Sequence, residues 1–157
     1  MSVSVLEQAK IQAQVLVPVV KALQAELGEE RANSIVRQAL GGMYRELGEK
    51  WWRSRQSDDL GQNMASAFQM YASGRALEYS VKEQSQDAFH LDITTCGYAQ
   101  FFKELGAPEL GFLLVCSSDF QVAEGFGPDI ELKRTQTIMQ GANHCDFRYS
   151  RQKSSSV

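Results

Sequence analysis

The stretch LEYSVKEQSQDAFHLDITTC, residues 77–96, decides the fold class of this chain. Apolar and polar side chains alternate along it on both sides of a polar turn at residues 83–87. A period of two places successive side chains on opposite faces of a β-strand. The stretch therefore predicts a β-hairpin whose second strand directs Phe89, Leu91 and Ile93 towards a core.

The other face of that second strand carries His90, Asp92, Thr94 and Cys96. Because alternate residues of a strand share a face, the thiol of Cys96 is expected in line with these polar groups. This row is a candidate catalytic and binding surface. The alternative is the solvent-facing side of an antiparallel sheet, which is commonly polar and which the alternation alone favours.

Helical spacing precedes the hairpin. Apolar residues recur at intervals of three and four over residues 5–53, which predicts two helices. Gly28 is a suitable end for the first helix, and Pro18 is expected in a first turn or at a kink, because an interior proline removes a backbone hydrogen bond. A third helix is predicted over residues 60–73 and ends at Gly74.

Shorter elements follow the hairpin. Two short helices are predicted over residues 97–120, divided at residues 106–108, and strands are predicted over residues 130–139 and 145–149 with Gly141 in the turn between them. The expected fold is α+β: an N-terminal helical layer packed on a four-stranded, mainly antiparallel sheet, with two short helices inserted between the hairpins.

Length, composition and charge limit the class of protein. The 157 residues, 43% of them apolar, fit one globular domain, predicted over residues 1–151, with residues 152–157 as a flexible tail. A net charge of −3 with scattered basic residues argues against a nucleic-acid partner. We expect no leader and no membrane partner, since the longest apolar run, residues 15–20, cannot span a bilayer, and we predict a cytoplasmic location. Homo-oligomerisation stays open.

The reactive side chains match no common cofactor motif. The three cysteines are expected to be free thiols, because their number is odd and no export signal precedes them. Cys96, Cys116, His144 and Cys145 lack the two-residue spacings of zinc motifs, so no metal ligand set is predicted. Phosphate-loop and GxSxG strings are absent as well, so neither a nucleotide cofactor nor a serine triad is predicted.

Two segments carry a resemblance to a known family. They are TTCGYAQFFKELGAPELGFLLVCSSDF, residues 94–120, and RTQTIMQGANHCDFRY, residues 134–149. A cysteine before an aromatic-rich short helix, an ELGxPEL turn, a Cys-x-x-Asp, and a basic-Thr strand leading to Gly-x-x-x-Cys-Asp-Phe-Arg resemble the L-2-amino-thiazoline-4-carboxylic acid hydrolase family. The helical N-terminal half is also similar in length and pattern, so the resemblance covers nearly the whole chain.

The resemblance implies a hydrolase that opens a carbon–nitrogen bond in a small cyclic amidine or amide. In the namesake reaction, water adds at C2 of a 2-aminothiazoline and a carbamoyl-cysteine results. Attack would come from a thiolate, or from a water activated by a carboxylate or a histidine. A thiolate requires a lowered thiol pKa, which Arg134, Arg148 or His144 nearby would provide. An arginine would also hold the carboxylate of the ring.

The family motif and the polar strand face together give the candidate site. The catalytic candidates are Cys96, Cys145, Asp119 and Asp92, and the substrate-binding candidates are Arg134, Thr135, Arg148, Thr94 and Asp146. Cys96 is preferred to Cys145 as nucleophile, because it ends a strand and precedes Gly97, whereas Cys145 shares its face with aromatic residues.

Structural roles for several of these residues stay open. Asp119 could cap a turn, Arg148 could pair across strands with Asp146 or Glu131, and Cys116 could be a buried small side chain. If Cys145 points inward, alternation turns His144 outward.

Two other functions also stay open. A small-molecule sensor domain of the 4-vinyl reductase type would need an apolar cavity with few polar groups, whereas a hydrolase for a charged ring would need a converging arginine and thiol. A structural partner subunit would have no pocket.

Overall fold

The structure, a computed structural model, describes residues 2–153. Its helical layer consists of α1 (Val5–Leu27), α2 (Glu29–Arg53) and α3 (Leu60–Tyr71). Gly28 alone separates α1 from α2, and its φ of 84° is a conformation that glycine adopts without steric cost. Pro18 lies inside α1 rather than in a first turn, contrary to that part of the expectation.

The sheet has four strands, β1 (Leu77–Ser85), β2 (Ala88–Cys96), β3 (Ile130–Lys133) and β4 (Cys145–Arg151), in the order β1-β2-β4-β3. Every neighbouring pair is antiparallel. Short helices connect β2 to β3, namely α4 (Gly97–Glu104), α5 (Pro108–Gly111), a π-helical segment (Phe112–Cys116) and α6 (Ser118–Gly125). The α+β prediction, with its helical layer and inserted helices, is confirmed.

Two local predictions in this region are wrong. The strand expected over residues 130–139 ends at Lys133, and Ile138–Gln140 forms a turn of 3₁₀-helix. The Asp146 carboxylate accepts hydrogen bonds from the backbone N–H groups of Thr135 and Gln136, at 2.8 and 3.0 Å, and so holds this segment away from the strand ladder. The third inserted helix, α6, was not predicted.

The interior consists of two apolar clusters. One lies between α3, α6 and the inner face of the sheet, where Phe68, Phe89 and Phe147 are buried. The other joins α1 to α4 and α5 around Val20 and Phe102. Leu77, Cys96 and Ile138 pack against both clusters.

The chain end and the helices bear on two further expectations. Within the predicted tail, the Gln152 backbone N–H donates to Asp129 O at 2.6 Å, while residues 154–157 lie outside the described residues. Within residues 2–153, no helix combines the length and apolar character needed to cross a bilayer.

Candidate active site

A cavity of about 560 Å³ lies where the helical layer meets the sheet and the inserted helices. Most of its wall is apolar and aromatic, with contributions from every layer of the fold. Its exposed lining side chains belong to α1 and α2, so the cavity opens between these two helices; they are Gln8, Gln12, Met43, Glu46, Leu47 and Lys50.

The inner end of the cavity gathers the reactive groups. Its wall includes Asp119 and Arg134 together with all three cysteines, Cys96, Cys116 and Cys145, which are free thiols. The structure thus brings together four of the nine candidate site residues, Cys96, Cys145, Asp119 and Arg134, which come from β2, β4, α6 and the segment after β3.

The Arg134 side chain is buried, and its Nη1 is bound by groups of the protein. Its side chain is 3% exposed, and Nη1 lies 2.6 Å from Asp119 Oδ2 and 2.9 Å from Cys116 O. The guanidinium also lies over the rings of Phe120 and Phe147, at 4.8 and 5.3 Å from their centroids. Arg134 is therefore an internal partner of Asp119 rather than an unpaired cation facing the cavity.

The π-helical segment before α6 supports this pair. In it, Ser117 N–H donates to Phe112 O at 2.9 Å, a bond that spans five residues instead of four. The Cys116 carbonyl accepts from Arg134 instead of continuing a regular helix. The wider turn therefore fixes both ends of the Arg134 contact, the carbonyl of Cys116 and the carboxylate of Asp119.

Close packing of α6 on α2 sets the position of Asp119. A Cβ at Gly48 of α2 would collide with the Val122 backbone, and a Cβ at Gly125 of α6 would collide with the backbone of α2. An ion pair of 2.9 Å between Arg45 and Glu124 also joins the two helices. Because glycines stand at both contacts, α6 approaches closely enough to bring Asp119 to the cavity wall.

Asp119 is the carboxylate of the inner end. Its side chain is 34% exposed and borders the cavity. Burial raises the pKa of Asp119 to about 6, and the Arg134 guanidinium opposes that rise. Asp119 lies in the first turn of α6, and its carboxylate accepts a hydrogen bond from Arg134, so an ion pair replaces the turn-capping alternative.

Cys96 faces the cavity because the sheet contains a bulge. Glu78 pairs with Thr95 but Tyr79 pairs with Ile93, which leaves Thr94 as an extra residue in β2. One extra residue reverses the alternation, so Cys96 lies on the inner side with Ile93. The prediction that Cys96 shares a face with Asp92 and Thr94 is therefore wrong.

The Cys96 thiol caps the first turn of α4. Its Sγ accepts a hydrogen bond from Ala99 N–H at 3.4 Å. Burial raises the pKa of Cys96, while the N–H groups of Ala99 and Tyr98 act in the opposite direction.

The other two thiols are also held neutral. Burial raises the pKa of Cys145 to about 11, although its Sγ accepts from Ile138 N–H at 3.2 Å. Burial likewise raises the pKa of Cys116 well above its usual value, with the Asp119 charge adding to the effect. The expectation of a thiol pKa lowered by neighbouring cations is wrong, because burial outweighs the contribution of Arg134.

Five candidate site residues lie outside the cavity. Arg148 Nη2 pairs with Asp92 Oδ1 at 2.8 Å, and this hydrogen bond is the main cause that holds the Asp92 pKa below its usual range. Arg148 thus joins a cross-strand ion pair, although with Asp92 instead of Asp146 or Glu131. Thr94 donates to Glu78 O at 3.3 Å.

Thr135 and Asp146, the remaining two, bond to each other through Oγ1 and Oδ2. Burial opposes ionisation of Asp146, but hydrogen bonds from Thr135 and Gln136 prevail and hold its pKa below the usual range. His144 bonds to Gln136 and Asn143 and does not line the cavity. Outside the cavity, these side chains stabilise turns and the sheet surface.

Among the described residues, four tyrosines line the cavity, Tyr44, Tyr71, Tyr98 and Tyr149, and none of them was a candidate. Tyr44 of α2 and Tyr71 of α3 line its wall, and the Asp119 charge acts on both phenols. Burial, followed by that charge, raises the pKa of Tyr71 to about 12 and also raises the pKa of Tyr44. In the sequence both tyrosines follow the apolar spacing of their helices, which gives no sign that the phenols approach a carboxylate from α6.

Metal binding has no support from side-chain geometry in the part of the chain that the structure describes. There, no three or more His, Cys, Asp or Glu side chains are grouped so that they could hold a metal ion.

Comparison with protein families decides the assignment. A family model described as L-2-amino-thiazoline-4-carboxylic acid hydrolase matches residues 8–149. The chain belongs to this family. The match confirms the resemblance seen in residues 94–120 and 134–149, and it includes every residue that lines the cavity except Val5. A search among curated proteins returned no match. The L-2-amino-thiazoline-4-carboxylic acid hydrolase family is by its description a family of hydrolases, which supports hydrolysis as the class of reaction.

Proposed function

We propose that this protein hydrolyses a cyclic amidine or amide at the inner end of the cavity and opens a carbon–nitrogen bond of the ring. The observation that carries the proposal is Asp119, a cavity-facing carboxylate whose pKa is raised to about 6 by burial. Such a group is mostly ionised at neutral pH and is a stronger base than an ordinary aspartate. Membership of a hydrolase family agrees with this assignment.

Water activated by Asp119 is the favoured nucleophile. The carboxylate takes a proton from water as the oxygen bonds to the ring carbon, and the π electrons of the C=O or C=N bond move to its heteroatom. In a cyclic amide, collapse of the adduct breaks the ring C–N bond, and the leaving nitrogen takes the proton held by Asp119. In a 2-aminothiazoline-4-carboxylate the same adduct forms at C2; the C2–N3 bond then breaks, N3 takes the proton held by Asp119 and the hydroxyl proton of the adduct, and S-carbamoyl-cysteine results.

Tyr44 and Tyr71 would act on the adduct as hydrogen-bond donors. Both phenols have raised pKa values and remain protonated at neutral pH. A positioned O–H group can stabilise the negative charge that develops on the oxygen or nitrogen of the adduct. Asp119 and the two tyrosines then divide the chemistry between proton transfer and charge stabilisation.

A covalent route through Cys96 is the alternative mechanism. Cys96 is the thiol at the start of α4, where backbone N–H groups favour its anion. Burial nevertheless raises its pKa, so little thiolate exists at neutral pH unless Asp119 removes the proton during attack. Water activation needs no such prior ionisation, and we therefore rank it first.

A sensor function is the second candidate, and one observation favours it. Apolar and aromatic side chains form most of the cavity wall, which is the property expected for binding an apolar ligand without turnover. The ionisable Asp119 and its Arg134 partner favour the hydrolase, because a purely apolar binding site gains nothing from a buried ion pair.

A ring-opening screen with a matched pair of variants tests the proposal. Purified protein is incubated with cyclic amidines, lactams and imides, with and without a chelator, and ring opening is read as a mass gain of one water. Asp119→Asn is expected to lower kcat at least a hundredfold, because it removes the base. Asp92→Asn is the control, since it removes a carboxylate that pairs with an arginine outside the cavity.

Three outcomes decide between the candidates. Ring opening that Asp119→Asn abolishes and Asp92→Asn retains supports the hydrolase. Tight binding of ring compounds without opening of any of them supports the sensor. Activity that disappears with the chelator would contradict the metal-free mechanism.

A further inference from the structure

We propose that the substrate of this protein is a ring that carries a large apolar group and has no carboxylate at the inner end of the cavity. The inference rests on the proposed ring-opening function and names the substrate class for it. The substrate would be a cyclic amide or amidine bearing an aromatic or branched aliphatic substituent. It would therefore differ from the carboxylate-bearing ring in the family description.

Charge at the inner end argues against a bound carboxylate. Among the residues that the structure describes, Arg134 is the one cation on the inner wall, and its Nη1 already contacts Asp119 Oδ2 at 2.6 Å and Cys116 O at 2.9 Å. With 3% of its side chain exposed, Arg134 has little surface to offer a second anion. A substrate carboxylate placed there would meet the negative charge of Asp119 and lose its hydration without gaining an unpaired cation.

In the described part of the chain, the cavity mouth offers no strong cation that could bind a substrate carboxylate in place of Arg134. Lys50 is the other lining cation, and it is exposed on α2 one helical turn from Glu46, which also lines the mouth. Residues four apart lie on the same helix face, so the two opposite charges partly cancel. Water and salt weaken what remains.

Size points to a larger substrate than a single ring. The cavity volume of about 560 Å³ lies within the range of about 300–1,000 Å³ that is usual for sites binding drug-sized molecules. A five-membered ring with one carboxylate would occupy only part of this space. The rest of the cavity would be filled either by another group of the substrate or by several water molecules. Apolar walls offer water few hydrogen-bond partners, which favours a substrate group.

The lining shows what that other group is. Aromatic rings and flexible thioethers form much of the cavity wall, and such groups bind apolar surfaces of varied shape; they include Trp51, Phe68, Phe126, Phe147, Met43 and Met64. Met43 and Leu47 at the mouth are 51% and 53% exposed. An apolar substituent that extends outward from a ring at Asp119 would cover both of these side chains.

A set of rings with the same core tests the inference. The compounds are 2-amino-2-thiazolines that carry a hydrogen, a carboxylate or a benzyl group at C4. Binding is measured by calorimetry and ring opening by mass spectrometry. We expect the benzyl compound to have a kcat/KM at least tenfold above that of the carboxylate compound, mainly through a lower KM.

Two variants on one helix locate the apolar group. Leu47→Asp places a charge at the mouth of the cavity and is expected to remove most of the preference for the benzyl compound. Ile35→Asp is the matched control, because Ile35 is also an exposed apolar residue of α2, at 42%, but does not line the cavity. This control is expected to keep the preference.

The outcomes separate this inference from the proposed function. Opening of the carboxylate ring as fast as the benzyl ring would overturn the inference while the hydrolase function stands. Binding of the benzyl compound with no ring opened would overturn the hydrolase function and support an apolar ligand. Absence of both binding and opening across the three compounds would overturn both.

Discussion

Arg134 and Asp119 form an ion pair on the cavity wall, with Nη1 2.6 Å from Oδ2 and the arginine side chain 3% exposed. The residue that the sequence assigned to hold a substrate carboxylate is therefore already bound to a carboxylate of the protein. On the opposite face of the sheet, Arg148 and Asp92 form a second pair, at 2.8 Å, with side chains 32% and 20% exposed. The arginine is buried in the first pair and partly exposed in the second, so the two pairs can serve as controls for each other.

Loss of the inner arginine should destabilise the fold. Arg134→Met removes a guanidinium that is 3% exposed and that contacts Cys116 O and two aromatic rings as well as Asp119. Removing a buried member of an ion pair costs about 3 kcal/mol, and the 34% exposure of Asp119 sets this figure as an upper bound here. Arg148→Met removes an arginine that is 32% exposed, for which we expect a loss of ~1 kcal/mol or less. Urea denaturation of both variants measures the difference. An Arg134→Met protein of normal stability with a raised KM only for carboxylate substrates would instead identify Arg134 as a substrate clamp.

The pH dependence of turnover should report the ionisation of Asp119. If Asp119 is the base, it must be deprotonated, and its pKa is raised to about 6. The value of kcat/KM should then rise tenfold per pH unit on the acid side and level off above about pH 6. Asp92→Asn should keep this profile. A profile that rises only above pH 8 would point to thiol ionisation, because burial raises the pKa values of Cys96, Cys116 and Cys145.

The same ionisation should affect stability in the opposite direction. Because the folded-state pKa of Asp119 lies above its ordinary value of 3.8, the native protein binds more protons than the unfolded chain between pH 3.8 and about 6. The stability contributed by the protonated carboxyl is therefore lost as pH rises through this window. The free energy of unfolding of the wild type, minus that of Asp119→Asn, should fall between pH 4 and pH 6.5. An increase over the same range would mean that Arg134 lowers the Asp119 pKa below its ordinary value.

The sequence predicts the layers of this fold better than the site. Alternation correctly placed Phe89, Leu91 and Ile93 inside, because a buried face imposes its period on the strand. The bulge at Thr94 has no signature in that pattern, so the direction of Cys96 could not be read from it. Motif similarity assigned Arg134 to bind the substrate carboxylate, but a motif does not show that the guanidinium already forms an ion pair with Asp119.

The phenols beside Asp119 should matter for turnover. Tyr71→Phe and Tyr44→Phe each remove one O–H donor from the cavity wall while keeping the ring. If these groups stabilise the adduct, each change should lower kcat by a factor on the order of 10–100 with little effect on KM. Tyr79→Phe is the control, because Tyr79 packs on Phe68 but does not line the cavity. Equal kcat values for Tyr71→Phe, Tyr44→Phe and Tyr79→Phe would remove the tyrosines from the mechanism.

Thiol reactivity should separate the two mechanisms. With water as the nucleophile, Cys96→Ser should keep kcat within about tenfold of the wild type, whereas a covalent route would lose several orders of magnitude. Iodoacetamide should label the native protein slowly at pH 7, because burial raises the pKa of all three thiols.

Among the thiols, Cys96 should react before Cys145. Cys96 is half-buried at the start of a helix, where N–H groups oppose the rise of its pKa, while Cys145 is 6% exposed and its pKa is raised to about 11. Substrate should protect Cys96 from the reagent, since this thiol lines the same cavity as Asp119. Fast labelling of Cys96 at pH 7 together with an inactive Cys96→Ser protein would contradict water activation and make the thiolate the nucleophile. Slow labelling and an active variant would leave Asp119 as the group on which hydrolysis depends.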